Sequence, residues 1–251
     1  GRRSRWPTRL AALLLVAATG GEAAEVAVDV GHTLAACGAI SARGRCEYEF
    51  NAVLADLLAQ ELRARRIAVR EINFDGLIDS LAARPQHAAG ADFFISIHHD
   101  SVHPELLADW DWDGSSQTYS DVHRGFSLFV SRANPDLAGS LRCASAIGAL
   151  LRRAGFSPTR HYAEPAAGPS RPVADLDNAV HFHDRLVVLY QTTLPAVLFE
   201  AGVIKHREEE LALRDPARQI RMADAIASGI AACLQVNRAT AGDEDPSQTR
   251  R

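Results

Sequence analysis

Nothing in this chain is apolar for the roughly 20 residues that a membrane-spanning helix needs; the run from Leu10 to Ala18 is far too short to be a stable anchor. A His-Glu-x-x-His motif is missing, as is any close Cys/His pair, so the familiar helix-borne zinc sites are excluded. No repeat, low-complexity array or second apolar core is present, which leaves a single domain of catalytic size. Positive charge is not in excess either. The formal net charge is −4, and an acidic balance argues against nucleic acid as a partner.

What basic charge there is gathers at the start. Arg2, Arg3, Arg5 and Arg9 precede the apolar run, and small residues follow it, the pattern of a secretory signal peptide over residues 1–23. Its removal takes away four Arg and one Glu, moves the net charge from −4 to −7, and leaves no membrane anchor. The expected location is therefore outside the cytoplasm, periplasmic or extracellular. Only four cysteines are present, and they allow three pairings between which sequence does not choose. In an oxidising compartment the local pair Cys37–Cys46 is the expected disulfide. Cys143 and Cys233 each fall in a helical pattern.

The apolar run Phe93, Phe94, Ile95 and Ile97 suits a strand buried on both faces, and it ends abruptly in His98, His99 and Asp100. Strands are also expected over 26–30, 67–72, 126–131, 186–190 and 196–199, with helices over 51–66, 77–89, 137–154 and 216–234. Strand and helix alternate, which predicts a three-layer α/β/α fold with a mostly parallel sheet. The domain is expected over 24–236, with a disordered polar tail over 237–251. Two long loops interrupt the rhythm. Residues 102–124 carry Trp110, Trp112 and Tyr119 among aspartates, candidates for one wall of a cleft. Residues 155–184 carry His161, His181 and His183, further candidates for lining it.

Three strands end in residues that bind metal or move protons: Asp29-x-Gly31-His32, His98-His99-Asp100 and Phe199-Glu200. Glu47 and Glu49 stand just before the first helix. In open α/β sheets ligands sit at the carboxyl ends of strands. Two His and one Glu around an open fourth position form the ligand set of a hydrolytic zinc site, and a second, uncoordinated Glu would serve as general base. Residue types alone leave the choice between Glu47 and Glu49 open.

The strings VAVDVGHT, CEYEFNAVLADLLAQELR, LAARPQHAAGADFFISIHHDS and LPAVLFEAGVI, in this order, resemble zinc-dependent N-acetylmuramoyl-L-alanine amidases of the amidase-3 family. The likeness covers residues 26 to 235. It implies that His32, Glu47 and His98 hold Zn2+ and that Glu200 is the catalytic glutamate. Glu47, four residues before Asn51, takes the family's position; Glu49 does not. The resemblance implies hydrolysis of the amide between N-acetylmuramic acid and the L-alanine of the stem peptide, with peptidoglycan as partner. A zinc carboxypeptidase or endopeptidase on cell-wall peptides would use the same residues, and an inactive peptidoglycan-binding module would need none of them. Thr33 replaces the family's usual Gly, and His99-Asp100 its usual Ala-Asn. Arg84 matches a family Arg whose expected role is a structural hydrogen bond to a helix or strand end.

Overall fold

A computed structural model describes residues 23–163 and 171–243. The expected leader lies outside them except for its last residue. Strand β1 (Glu25–Val30) is apolar at every position but Glu25 and Asp29, and its side chains alternate between two cores. Val26, Val28 and Val30 enter the larger core and Ala27 the smaller. Strand β3 (Phe93–Asp100) repeats the pattern, with Phe93, Ile95 and Ile97 on the larger side and Phe94 on the smaller. Both faces are therefore covered, as the unbroken apolar runs require.

The remaining elements, in chain order, are α1 (Glu47–Ala64), β2 (Ala68–Ile72), α2 (Ala83–His87), β4 (Ala108–Trp112), β5 (Ser115–Tyr119), β6 (Ser127–Val130), α3 (Leu137–Arg153), β7 (Val173–Asp175), β8 (Val180–Phe182), α4 (Val187–Tyr190), β9 (Ala196–Val203), α5 (Arg207–Leu213) and α6 (Pro216–Asp243). The main sheet has seven strands in the order β2-β1-β3-β9-β6-β8-β7. Its pairings are parallel except β6 with β9 and β7 with β8. Helices α1, α3 and α6 cover the larger core through Leu54, Leu58, Leu62, Ile147, Leu151, Ile226 and Ile230. Ala88, which caps the short α2, and Val188 and Leu189 of α4 cover the smaller one. The architecture is the expected three-layer α/β domain.

Several expected elements differ. The helix predicted over 77–89 is only Ala83–His87. Pro85 has no N–H and is tolerated only in a first turn, so a helix begun at Leu77 would lose a bond in its interior. The apolar run 186–190 is a helical turn and not a strand, a distinction that periodicity cannot make over four residues. Residues 102–124 are not a loop: β4 and β5 form an antiparallel hairpin closed at Asp113-Gly114, both at positive φ (52° and 73°). The last helix runs to Asp243, past the expected start of the tail, and residues 244–251 lie outside the described residues.

Cys37 and Cys46 are joined, and so are Cys143 on α3 and Cys233 on α6. The two bridges span 9 and 90 residues. Chain entropy makes the long one worth more, on the order of 4–5 kcal/mol against roughly 2–3 for the short one. Urea unfolding of the paired Cys→Ala variants should show that order. A larger loss from the short bridge would instead mean that it supports native structure around Glu47.

Candidate active site

Strand β1 stops where Gly31 donates its N–H to Ile97 O (3.0 Å), and His32 turns into the left-handed region at φ 67°. A non-glycine residue there is strained and needs holding. Asn73 Nδ2 donates to the His32 carbonyl at 2.6 Å and so does Arg84 Nη2 at 2.6 Å. The same two side chains donate to Val30 O. Arg84 thus takes the structural role expected of it, on a strand end. It is almost fully buried and also faces Asp29, whose carboxylate accepts from Ser96 Oγ (2.6 Å) and Arg84 Nη1 (3.2 Å). Burial pushes the Asp29 carboxyl up against the pull of Arg84 and Ser96.

Two glycines make room for the imidazoles. A Cβ on Gly31 would lie 2.4 Å from the His98 ring, and one on Gly38 (φ 83°) would meet Glu47 Oε2 at 2.5 Å and His32 at 2.6 Å. Glu47 is the first residue of α1. Its Oε2 lies 3.0 Å from His32 Nε2 and its Oε1 3.0 Å from His98 Nδ1. The donor atoms of all three side chains lie within 4.8 Å of one another. Burial pushes Glu47 up, but the contacts with His32 and His98 outweigh it and hold the carboxyl well below its ordinary range.

Glu49, the other acid before α1, sits exposed in the helix cap, accepting from Cys46 N (3.4 Å) and pairing with Arg45. Asn51, one turn beyond Glu47 and not among the residues expected at the site, supports it. It donates to Glu47 Oε1 (3.2 Å) and Gly31 O (3.1 Å) and accepts from His99 Nδ1 (2.8 Å). The i, i+4 spacing on α1 was the available signal. His99 points away from the cleft into this buried network, where burial lowers its pKa to about 3.

Glu200 on β9 is the register partner of His98 on β3. Its Oε2 is buried with no hydrogen-bond partner, and burial, then Asp100 and Glu47, push its carboxyl well above the ordinary value. Asp100 accepts from Tyr162 Oη (2.7 Å) and is pushed up to about 7, chiefly by burial. His32, His98 and Glu200 line a cleft of about 360 Å³ walled by Phe129, Leu186, Val188 and Leu198. Of the three histidines expected to line it, His183 does so, whereas His161 and His181 are buried beside it. Tyr162 and Arg171, not singled out from sequence, line it as well. The aromatic hairpin does not. Trp110 and Trp112 turn toward Arg43, Arg207 and the Ala42 carbonyl, which accepts from Trp110 Nε1 (2.9 Å).

A family profile described as N-acetylmuramoyl-L-alanine amidase matches residues 26–232. No curated protein sequence matched the chain. Among solved structures, the fold is similar to the N-acetylmuramyl-L-alanine amidase of Mycobacterium smegmatis, with 19% identity, a TM-score of 0.67, and 85% of this chain and 97% of that one covered. It is similar to an N-acetylmuramoyl-L-alanine amidase of Clostridium difficile at 21% identity and TM-score 0.66, with coverages of 86% and 98%. It is also similar to the catalytic domain of such an amidase from Paenibacillus polymyxa at 25% identity and TM-score 0.63, with coverages of 85% and 99%.

Proposed function

The chain belongs to the N-acetylmuramoyl-L-alanine amidase family, and on that premise we propose that His32, Glu47 and His98 hold a zinc ion and that Glu200 moves the proton. The reaction is hydrolysis of the amide joining N-acetylmuramic acid to the L-alanine of the peptidoglycan stem peptide. The observation that carries the site reading is the convergence of two imidazoles and one carboxylate at the cleft, with a second, unpartnered carboxyl in register beside them. Two His and one Glu are the donor set of a catalytic zinc centre, and Glu47 is ionised as a ligand must be. When bound, zinc supplies Lewis acidity that polarises the scissile carbonyl and acidifies water.

The chain's own residues do the rest. Glu200 accepts the proton of the attacking water at Oε2 and returns it to the departing amine, a task suited to a carboxyl whose pKa is raised. Asn51 and the His99 main-chain N–H fix Glu47 Oε1, and Asn73 and Arg84 fix the turn at His32. Phe129, Leu186, Val188 and Leu198 give the rest of the cleft an apolar lining. Work outside the cytoplasm is supported by the two disulfides. Among the described residues no helix is long and apolar enough to cross a membrane.

Purified sacculi incubated with the zinc-loaded protein alone should release intact stem peptides beginning at L-alanine and leave bare glycan strands, as read by mass spectrometry. Peptides cut internally would favour the peptidase alternative. No release, from protein shown to contain zinc, would favour an inert wall-binding module.

A further inference from the structure

Two guanidinium groups line the cleft, and their surroundings differ. The terminal nitrogens of Arg84 are committed to Asp29 and to the carbonyls of Val30, His32 and Ile78. Arg171 has no such set. Its main-chain N–H donates to Tyr162 O (2.9 Å), which fixes the backbone, while its Nε, like that of Arg84, is buried without an acceptor and, unlike that of Arg84, its guanidinium makes no side-chain hydrogen bond among the described residues. No carboxylate pairs with it among the described residues. A buried donor left unfilled in a folded protein calls for an explanation, and a ligand acceptor supplies one.

The neighbours narrow the ligand. His183 stands beside Arg171, its Nδ1 buried and likewise unpartnered. Burial, reinforced by Arg171, lowers its pKa. The other ionisable residues of the cleft are accounted for: Asp29 by Arg84, Tyr162 by its hydrogen bond to Asp100, and His32, His98 and Glu200 by the reaction. Arg171 therefore brings the cleft a side-chain positive charge that neither the fold nor the chemistry uses. The apolar wall of Phe129, Leu186 and Val188 lowers the local dielectric, which strengthens any charge pair formed there.

We propose that Arg171, with His183 beside it, forms a carboxylate-binding subsite that reads a free carboxylate on the stem peptide of the substrate. The inference rests on the amidase reading above. A guanidinium presents a planar fork that matches a carboxylate bidentately, whereas a carboxamide offers the same shape without the charge and with one oxygen fewer.

That contrast sets the test. Two synthetic N-acetylmuramoyl dipeptides, alike except for a free α-carboxylate or a carboxamide on the second residue, are assayed with the zinc-loaded full chain, Arg171→Gln and Arg171→Lys. The unaltered protein should cleave the acid with a kcat/KM about tenfold or more above that of the amide, the least expected of a hydrogen-bonded charge pair. Arg171→Gln should erase the preference by raising KM for the acid while the amide changes by less than about twofold, and Arg171→Lys should keep part of it. Equal rates on the two dipeptides, or an Arg171→Gln that slows both alike, overturn the subsite and leave the amidase reading standing. Failure on both dipeptides and on sacculi overturns the amidase reading and the subsite with it. If sacculi are cleaved and the dipeptides are not, calorimetric binding of each dipeptide to Glu200→Gln protein, with and without Arg171→Gln, makes the same comparison. Tighter binding of the acid that Arg171→Gln abolishes supports the subsite, and equal binding of acid and amide overturns it.

Discussion

Glu200→Gln is expected to keep about one zinc per chain while turnover of sacculi falls by about 10²–10⁴, the range for removal of a general acid–base group. The amide preserves the shape of the side chain and one carbonyl oxygen, but it cannot accept a proton. Glu200 stands apart from the proposed ligands: His32, Glu47 and His98 contact one another directly, and Glu200 adjoins them as the register partner of His98. Its buried Oε2, free of any hydrogen bond, is where a water proton would be received. His32→Ala or His98→Ala should behave differently, losing metal and activity together, because three protein ligands are the minimum set of such a centre.

Elemental analysis beside sacculus hydrolysis gives both readings on one sample. A Glu200→Gln protein that comes without zinc would make Glu200 a ligand, and Asp100, the neighbouring buried carboxyl, would become the first residue to test as base. Glu49 would not, since it is exposed in the cap of α1. A variant that keeps both zinc and a near-normal rate would remove Glu200 from the mechanism.

The elements that carry this site were legible because each has a strong local signal. The runs at β1, β3 and β9 are apolar on both faces and end in His32, His98 and Glu200, and α1 shows its face through Leu54, Leu58 and Leu62. What supports the site was less legible. Arg84 acts on main-chain carbonyls of Val30, His32 and Ile78, and a carbonyl has no sequence signature. β7 and β8 are three residues each, too short for a periodic pattern, so which of His161, His181 and His183 reaches the cleft is decided by tertiary pairing with β6. The hairpin was readable in principle. Asp109, Trp110, Asp111 and Trp112 alternate with period two before an Asp-Gly turn, but the partners of its aromatic rings, Arg43 and Arg207, are distant in sequence and carry no local signal.

Arg84→Met should destabilise the fold by about 3–5 kcal/mol, the cost of breaking a buried pair from one side. Arg84 and Asp29 are both essentially inaccessible, so the variant leaves a buried carboxylate supported by Ser96 Oγ alone (2.6 Å). The loss should depend on pH in a definite direction. Burial already raises the Asp29 carboxyl above its ordinary 3.8, and Arg84 is the strongest pull against that rise. Without Arg84 the folded-state pKa climbs further above the unfolded one. A carboxyl of that kind contributes most when protonated, so the variant loses stability as pH rises through the folded value. Urea unfolding should therefore show a deficit that is largest near neutrality and shrinks toward pH 4. Asp29→Asn combined with Arg84→Met removes the stranded charge and should recover part of the loss, so that the double variant is more stable than the two single effects summed. The same change should reach the metal. With one of the two donors to the His32 carbonyl gone, only Asn73 (2.6 Å) still holds that residue at φ 67°, and zinc affinity should fall by about 10–100-fold, as for other residues that orient a ligand from behind. An Arg84→Met protein that loses stability while binding zinc as before would confine Arg84 to the fold. Additive single effects across pH would instead show that Asp29 and Arg84 do not act as a pair.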